Sequence, residues 1–273
     1  MVGYGVQDFL YALVSKKIGF FKTSIWAFAF AFLIYIPLTF FLFTYHPLSI
    51  LDIALIIAAG VATGIGMLSF LKGFQIGNVS IVATVGNTWG AVTAVLGFLI
   101  LGETITNFQI LDIILIVIGT AVISLNLRDL MKADRKKLHV GLGYAFMATF
   151  AFGIWAFAAA FLTMTLGWFT TAFLILIPIV IFILLYGFLT KQEMKVSKNH
   201  LPLLFFISLF VVFVGLAYNL GVTYNYADIV APISSASPLV TIVLAVLLLK
   251  ERLSLHQKIG VALVLIGLVA LSI

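Results

Sequence analysis

Apolar positions in this chain run on instead of alternating. Nine stretches of roughly 20 apolar residues follow one another, at about 20–43, 50–71, 79–101, 106–126, 141–162, 168–189, 201–223, 229–249 and 256–273. A helix of about 20 residues rises about 30 Å, the thickness of a bilayer's hydrocarbon core, so each stretch predicts a transmembrane helix. Met1 to Ser15 is apolar too, but fifteen residues of helix rise only about 22 Å. This segment reads as a first helix without its outer turns, which brings the expected count to ten.

The pattern also repeats. A shift of 148 carries Ile81-Val82-Ala83 onto Ile229-Val230-Ala231, Thr93 onto Thr241, Glu103 onto Glu251 and Gln109 onto Gln257. The same shift, without a net gap, sets Gly5 on Gly153, Gly19 on Gly167, Gly73 on Gly221 and Gly119 on Gly267. Leu-on-Leu matches mean little in so apolar a chain; the Thr, Glu, Gln and Gly matches carry the weight. The expected fold is an all-α integral membrane protein of ten transmembrane helices, built as two five-helix repeats. Residues 1–126 form the first repeat, 127–140 a basic linker and 141–273 the second.

Charge sets the expected topology. Lys and Arg fall only between helices 1–2 (Lys16, Lys17, Lys22), 3–4 (Lys72), 5–6 (Arg128, Lys132, Arg135, Lys136, Lys137), 7–8 (Lys191, Lys195, Lys198) and 9–10 (Lys250, Arg252, Lys258). The positive-inside rule makes these loops cytoplasmic and both termini external, in an inner or cytoplasmic membrane. Five spans per half is an odd number, so the second half is expected to enter the bilayer upside down. The bases of one half fall on uncharged positions in the other (Lys22 on Thr170, Lys72 on Leu220), as inversion requires.

Composition narrows the classes. The chain is 64% hydrophobic and 9% charged, against roughly 45–50% and about 25% in soluble domains. Its net charge of +6 is a topology signal and not a nucleic-acid footprint. It has no cysteine, so thiolate metal sites and thiol nucleophiles are excluded. The four histidines lie in loops or at helix ends, and none pairs with Glu at metal-ligand spacing. No enzyme activity, metal or cofactor is expected.

The stretch APISSASPLVTIVLAVLLLKERLSLHQKIGVALVLIGLVAL resembles the last two helices of the drug/metabolite transporter superfamily, EamA-like branch. GFLILGETITNFQILDIILIVIGTAVI repeats it in the first half, and GYGVQDFLYALVSKKIG is similar to the family's first helix. The resemblance covers nearly the whole chain. It implies inverted repeats, a central cavity and alternating access. It also implies internal termini, where loop charge here puts them outside.

Candidate site residues are polar or aromatic groups at bilayer depth. Asp8 stands out: nine residues before Lys17, it lies about 13 Å from the basic end. An acid at that depth is costly and points to function, either as a proton-coupling carboxyl group or as a partner for a substrate ammonium. Gln7, Tyr11 and Trp155 lie near it or near its repeat-related position. Asn87 and Trp89 in the fourth helix, Tyr218 and Asn219 in the eighth, and Ser234 and Ser237 in the ninth complete the candidate substrate site. Single Ser and Thr residues at such spacing also serve helix packing. No Lys or Arg stands at mid-depth, which argues against phosphorylated substrates. Glu103 and Glu251 end matched helices and are expected to be structural. Asp52, Asp112 and Asp228 sit near helix starts, where an acid meets the positive end of the helix dipole.

The expected activity is secondary transport, in the export direction, of a small organic metabolite, amino acid or drug-like solute, with protons as the candidate coupling ion. A passive channel or a lipid-translocating protein of the same fold is the alternative. The expected partners are the solute and the lipid bilayer, with no nucleic acid, in a monomer or homodimer.

Overall fold

The computed structural model describes residues 1–76, 79–101, 107–124, 135–224, 227–249 and 255–271. Among these there are twelve α-helices and no strand. The first half contains α1 (Val2–Ile18), α2 (Phe20–Leu42), α3 (Ile50–Ile76), α4 (Val79–Gly86), α5 (Trp89–Leu96, continued by a π-helical turn, Gly97–Leu101) and α6 (Asn107–Ser124). The second contains α7 (Arg135–Leu166), α8 (Trp168–Leu189), α9 (Leu201–Tyr224), α10 (Ala227–Ser235), α11 (Pro238–Leu249) and α12 (Leu255–Leu271). By length and apolar composition, five described helical stretches suffice to cross a membrane: Phe20–Leu42, Ile50–Ile76, Val140–Leu166, Trp168–Leu189 and Lys198–Tyr224. The chain is therefore a multi-pass membrane protein. Glu103 and Glu251 lie outside the described residues.

Two stretches expected as single helices, 79–101 and 229–249, are each broken in the middle. Physical causes are visible at both breaks. Asn87 turns its side-chain amide back onto the carbonyl of Ala83, 2.8 Å away, and so competes with the helix's own bonding. Pro238 has no N–H to donate and starts a new helix after Ser237. The expected linker is partly helical as well, since α7 begins at Arg135.

The shift of 148 reappears in the backbone. Ala91 N–H donates to the carbonyl of Thr88, and Leu239 N–H to that of Ala236, each at 3.1 Å. Gly19 N–H donates to Ser15 as Gly167 N–H does to Thr163, each at 3.0 Å. Gly19 (φ 96°, ψ 154°) and Gly167 (φ 80°, ψ 161°) turn the chain between α1 and α2 and between α7 and α8. Only glycine enters that backbone region cheaply.

Packing follows the same exchange. α3 lies on α7 as α9 lies on α1; α1 meets α11 as α7 meets α5; α2 meets α9 as α8 meets α3. Close crossings rest on small residues. A Cβ on Gly5 would strike Val240 and the carbonyl of Ser237, and one on Gly60 would strike Pro178. Large apolar side chains such as Phe40, Phe41, Ile50 and Phe188 face outward, as lipid contact demands. Ser49 and Asp52 cap α3 reciprocally: Asp52 Oδ2 accepts from the Ser49 N–H (2.9 Å) and hydroxyl (2.7 Å), and Asp52 N–H donates to Ser49 Oγ (3.1 Å).

Candidate functional site

Where α1 passes the two breaks, three polar side chains meet. Asn87 Nδ2 donates to Asp8 Oδ2 at 3.1 Å. Ser237 Oγ donates to Asn87 Oδ1 at 2.9 Å and lies 3.4 Å from Asp8 Oδ2. All three side chains are buried. Asp8 comes from the middle of α1, Asn87 from the α4–α5 break and Ser237 from the α10–α11 break, so the knot joins both halves of the chain. Interrupting a helix frees its backbone groups and lets short side chains turn inward at the same depth. One turn along α1, Thr241 Oγ1 donates to the carbonyl of Gly5 at 3.0 Å, holding α11 against α1.

Beside the knot lies a cavity of about 120 Å³. That is room for several waters or a small organic group. Gln7, Asp8, Tyr11, Asn87, Trp89, Trp155 and Asn219 all line it. Among the described lining residues Asp8 is the one carboxyl group, and none is Lys or Arg. The rest of the wall is mainly aromatic and aliphatic.

Trp89, Trp155 and Tyr218 form a mutual cluster, with ring centroids 5.2–5.9 Å apart. Tyr4 stands 6.1 Å from Trp89. Such tilted and edge-to-face pairs are the favoured aromatic geometries. Tyr218 supports this wall from behind, its hydroxyl donating to the carbonyl of Ala156 at 3.2 Å. Asn219 donates through Nδ2 to the carbonyl of Trp168 (3.1 Å), while its Oδ1 is buried with no partner among the described residues. An unmet buried acceptor beside a cavity is free to receive a hydrogen bond from a solute.

Seven of the ten candidate residues therefore line one cavity, and Tyr218 and Ser237 stand directly behind it. Ser234 does not reach the cavity; it is buried, and its carbonyl accepts the Ser237 N–H at 3.3 Å within the break. Sequence reasoning missed Tyr4, Tyr35, Thr63 and Phe70, which also line the wall. Tyr4 precedes Asp8 by one helical turn, a spacing that could have found it. Nothing in the sequence singled out Tyr35 or Phe70 among so many aromatic residues.

Comparison with known proteins agrees with this architecture. The model of the EamA-like transporter family matches twice, over residues 1–125 and 139–273. A solved crystal structure superposes with a TM-score of 0.76, covering 99% of this chain and 95% of that one at 13% identity; at that identity the likeness is one of fold. An uncharacterized protein of Methanocaldococcus jannaschii is 51% identical over 47 residues, which are 17% of this chain. The chain spans about a third of that relative's length, 34%. The matches of the family model to both halves establish that the chain belongs to the EamA-like transporter family.

Proposed function

We propose that the protein is a secondary transporter that carries a small organic solute through the cavity beside Asp8 by alternating access, with Asp8 as the proton-coupling group. The observation that carries this reading is the Asp8–Asn87–Ser237 knot, where an acid is held between two interrupted helices, one from each half. A group bound by both halves can feel, and drive, their relative movement.

In this reading the spans number ten. The pair α4 and α5 makes one interrupted span and α10 and α11 another, so each half has five and the second is inverted. Residues 127–140 link the halves. Basic loops face the cytoplasm and both termini face out, by the charge rule. The Asp8 carboxyl group, the unmet Asn219 acceptor and the aromatic faces, with no Lys or Arg among the described lining residues, favour a solute with an ammonium or other cationic group, such as an amine-bearing metabolite or drug-like molecule. A buried carboxyl group holds either a proton or a cation, which is the exchange that coupling needs.

The test is a thermal-stabilisation screen of the purified protein against amine-bearing, zwitterionic and anionic metabolites, followed by flux of each hit in proteoliposomes with and without a pH gradient. Stabilisation by amines and gradient-dependent flux support the reading. Flux that ignores the gradient returns the protein to the passive-channel class.

A further inference from the structure

The cavity has one wall made of a helix from each half. Phe28 and Tyr35 of α2 line it beside Ile175 and Ile179 of α8. The two helices run antiparallel, because the start of each touches the segment after the end of the other. At the basic end, Lys22 Nζ donates to Glu193 Oε2 at 2.6 Å and Trp26 Nε1 donates to the carbonyl of Met194 at 2.8 Å. At the far end, Thr44 N–H donates to Thr170 Oγ1 at 3.2 Å, and the two hydroxyls stand 3.1 Å apart. The Thr170 hydroxyl also reaches the Thr44 carbonyl at 3.2 Å.

These contacts occupy corresponding places in the two halves, one residue apart in register on the loop side. The shift of 148 carries Lys22 onto Thr170, and it carries Thr44, Tyr45 and His46 onto Gln192, Glu193 and Met194. Each clasp joins the first two turns of one half's second helix to the segment after the other half's second helix. The chemistry at the two ends differs. The basic-end clasp is ionic and partly exposed, with its side chains 25% and 68% accessible. The far clasp is uncharged, between a buried Thr170 and an exposed Thr44. An exposed ion pair contributes little and is weakened by salt, whereas a hydrogen bond between two neutral hydroxyls is not screened.

Resting on the transport reading above, we propose that these two clasps are the gates of the cavity. The Lys22–Glu193 and Trp26–Met194 contacts part when the cavity opens toward the basic end. The Thr44–Thr170 contact parts when it opens toward the other. Both are closed in this structure. Their unequal chemistry makes the basic-end gate the one that salt releases.

The chain has no native cysteine, so the test has no background thiol. A reporter cysteine on the cavity wall, Thr63→Cys, is labelled by a membrane-impermeant maleimide applied from one side or the other. Two double variants are made on it: Lys22→Cys with Glu193→Cys, and Thr44→Cys with Thr170→Cys, each pair oxidised to a disulfide before labelling. The expected result is that each cross-link slows labelling from its own end by about tenfold or more, as a shift to a nearly closed population requires, and leaves labelling from the other end undiminished. A charge-swapped pair, Lys22→Glu with Glu193→Lys, checks the basic end without any disulfide. It should label like the parent, while Lys22→Glu alone labels faster from the basic end. A reporter reached equally from both sides whatever is cross-linked overturns the gate assignment alone. A reporter reached from neither side in any variant overturns the gates and the transport reading together.

Discussion

The side-chain amide of Asn87 donates a 3.1 Å hydrogen bond to the carboxyl group of Asp8, tying the α4–α5 break to the middle of α1. Asn87 is also bonded to Ala83, one turn back along α4, so its amide is held in place from both sides. The acid therefore meets a fixed donor and not a mobile one. Ser237 reaches the same pair from the other half.

Asp8→Asn keeps the size of this group and removes its titration. Transport in proteoliposomes should fall by about tenfold or more, and whatever flux remains should no longer respond to an imposed pH gradient. Flux with wild-type pH dependence in this variant removes Asp8 from the coupling role.

Ser237→Ala deletes the hydroxyl that bridges the halves and leaves Asn87 Oδ1 without that donor. The loss should be about 1–3 kcal/mol, the range for stranding a buried polar group, and should be read as a lower midpoint in thermal unfolding in detergent. Combined with Asn87→Ala, the two losses should add to less than their sum, because both variants break the same bond.

Gly19→Ala and Gly167→Ala should each cost about 1–3 kcal/mol, because both glycines hold a positive φ at extended ψ that a side chain disfavours. Space is not the obstacle at Gly19, where an added Cβ meets nothing within 4 Å. Gly5→Ala should destabilise by a similar amount for the opposite reason: its φ is ordinary, but its Cβ collides with Val240 and the Ser237 carbonyl. Unfolding midpoints for the three variants check both statements, and a second-site Val240→Ala should not rescue Gly5→Ala, because the Val240 Cβ and the Ser237 carbonyl both remain in the way.

Glu193 is held below the ordinary Glu range, first by its hydrogen bond from Lys22, then by the Lys22 charge and more weakly by that of Lys195. A depressed value in the folded protein means that the clasp contributes above the unfolded value, about 4.3, and is lost as pH falls through the lower folded one. The labelling rate of Thr63→Cys from the basic end, taken as a ratio to that in Glu193→Gln so that the thiol's own pH dependence cancels, should therefore rise as pH falls through the depressed Glu193 value. The far end, closed by hydroxyls, should show no such dependence.

The hydrophobic runs, the loop charges and the 148-residue repeat are local properties of the chain, and they were legible in the sequence. A span must satisfy its own backbone in lipid, so a long apolar run has few alternatives to helix. That made Asp8 conspicuous, since an acid inside such a run has no cheap place to go. It also put Asn87, Trp89, Asn219 and Ser237 on the page as polar or amphipathic groups at depth. The helix breaks at Asn87 and Ser237 were not legible. Asn and Ser-Pro are tolerated inside spans, and only the neighbours around them decide whether the helix continues.

Tertiary structure alone decided which polar groups meet. Asp8 and Ser237 are 229 residues apart, and their contact follows from α1 crossing α11 at Gly5, a packing choice that no local pattern encodes. The same holds for the wall of the cavity, where Tyr35 differs from the other tyrosines only in the helix it faces. Burial in lipid dictates the elements from the sequence; the fit of one helix surface against another, set by single glycines and rings, dictates the site.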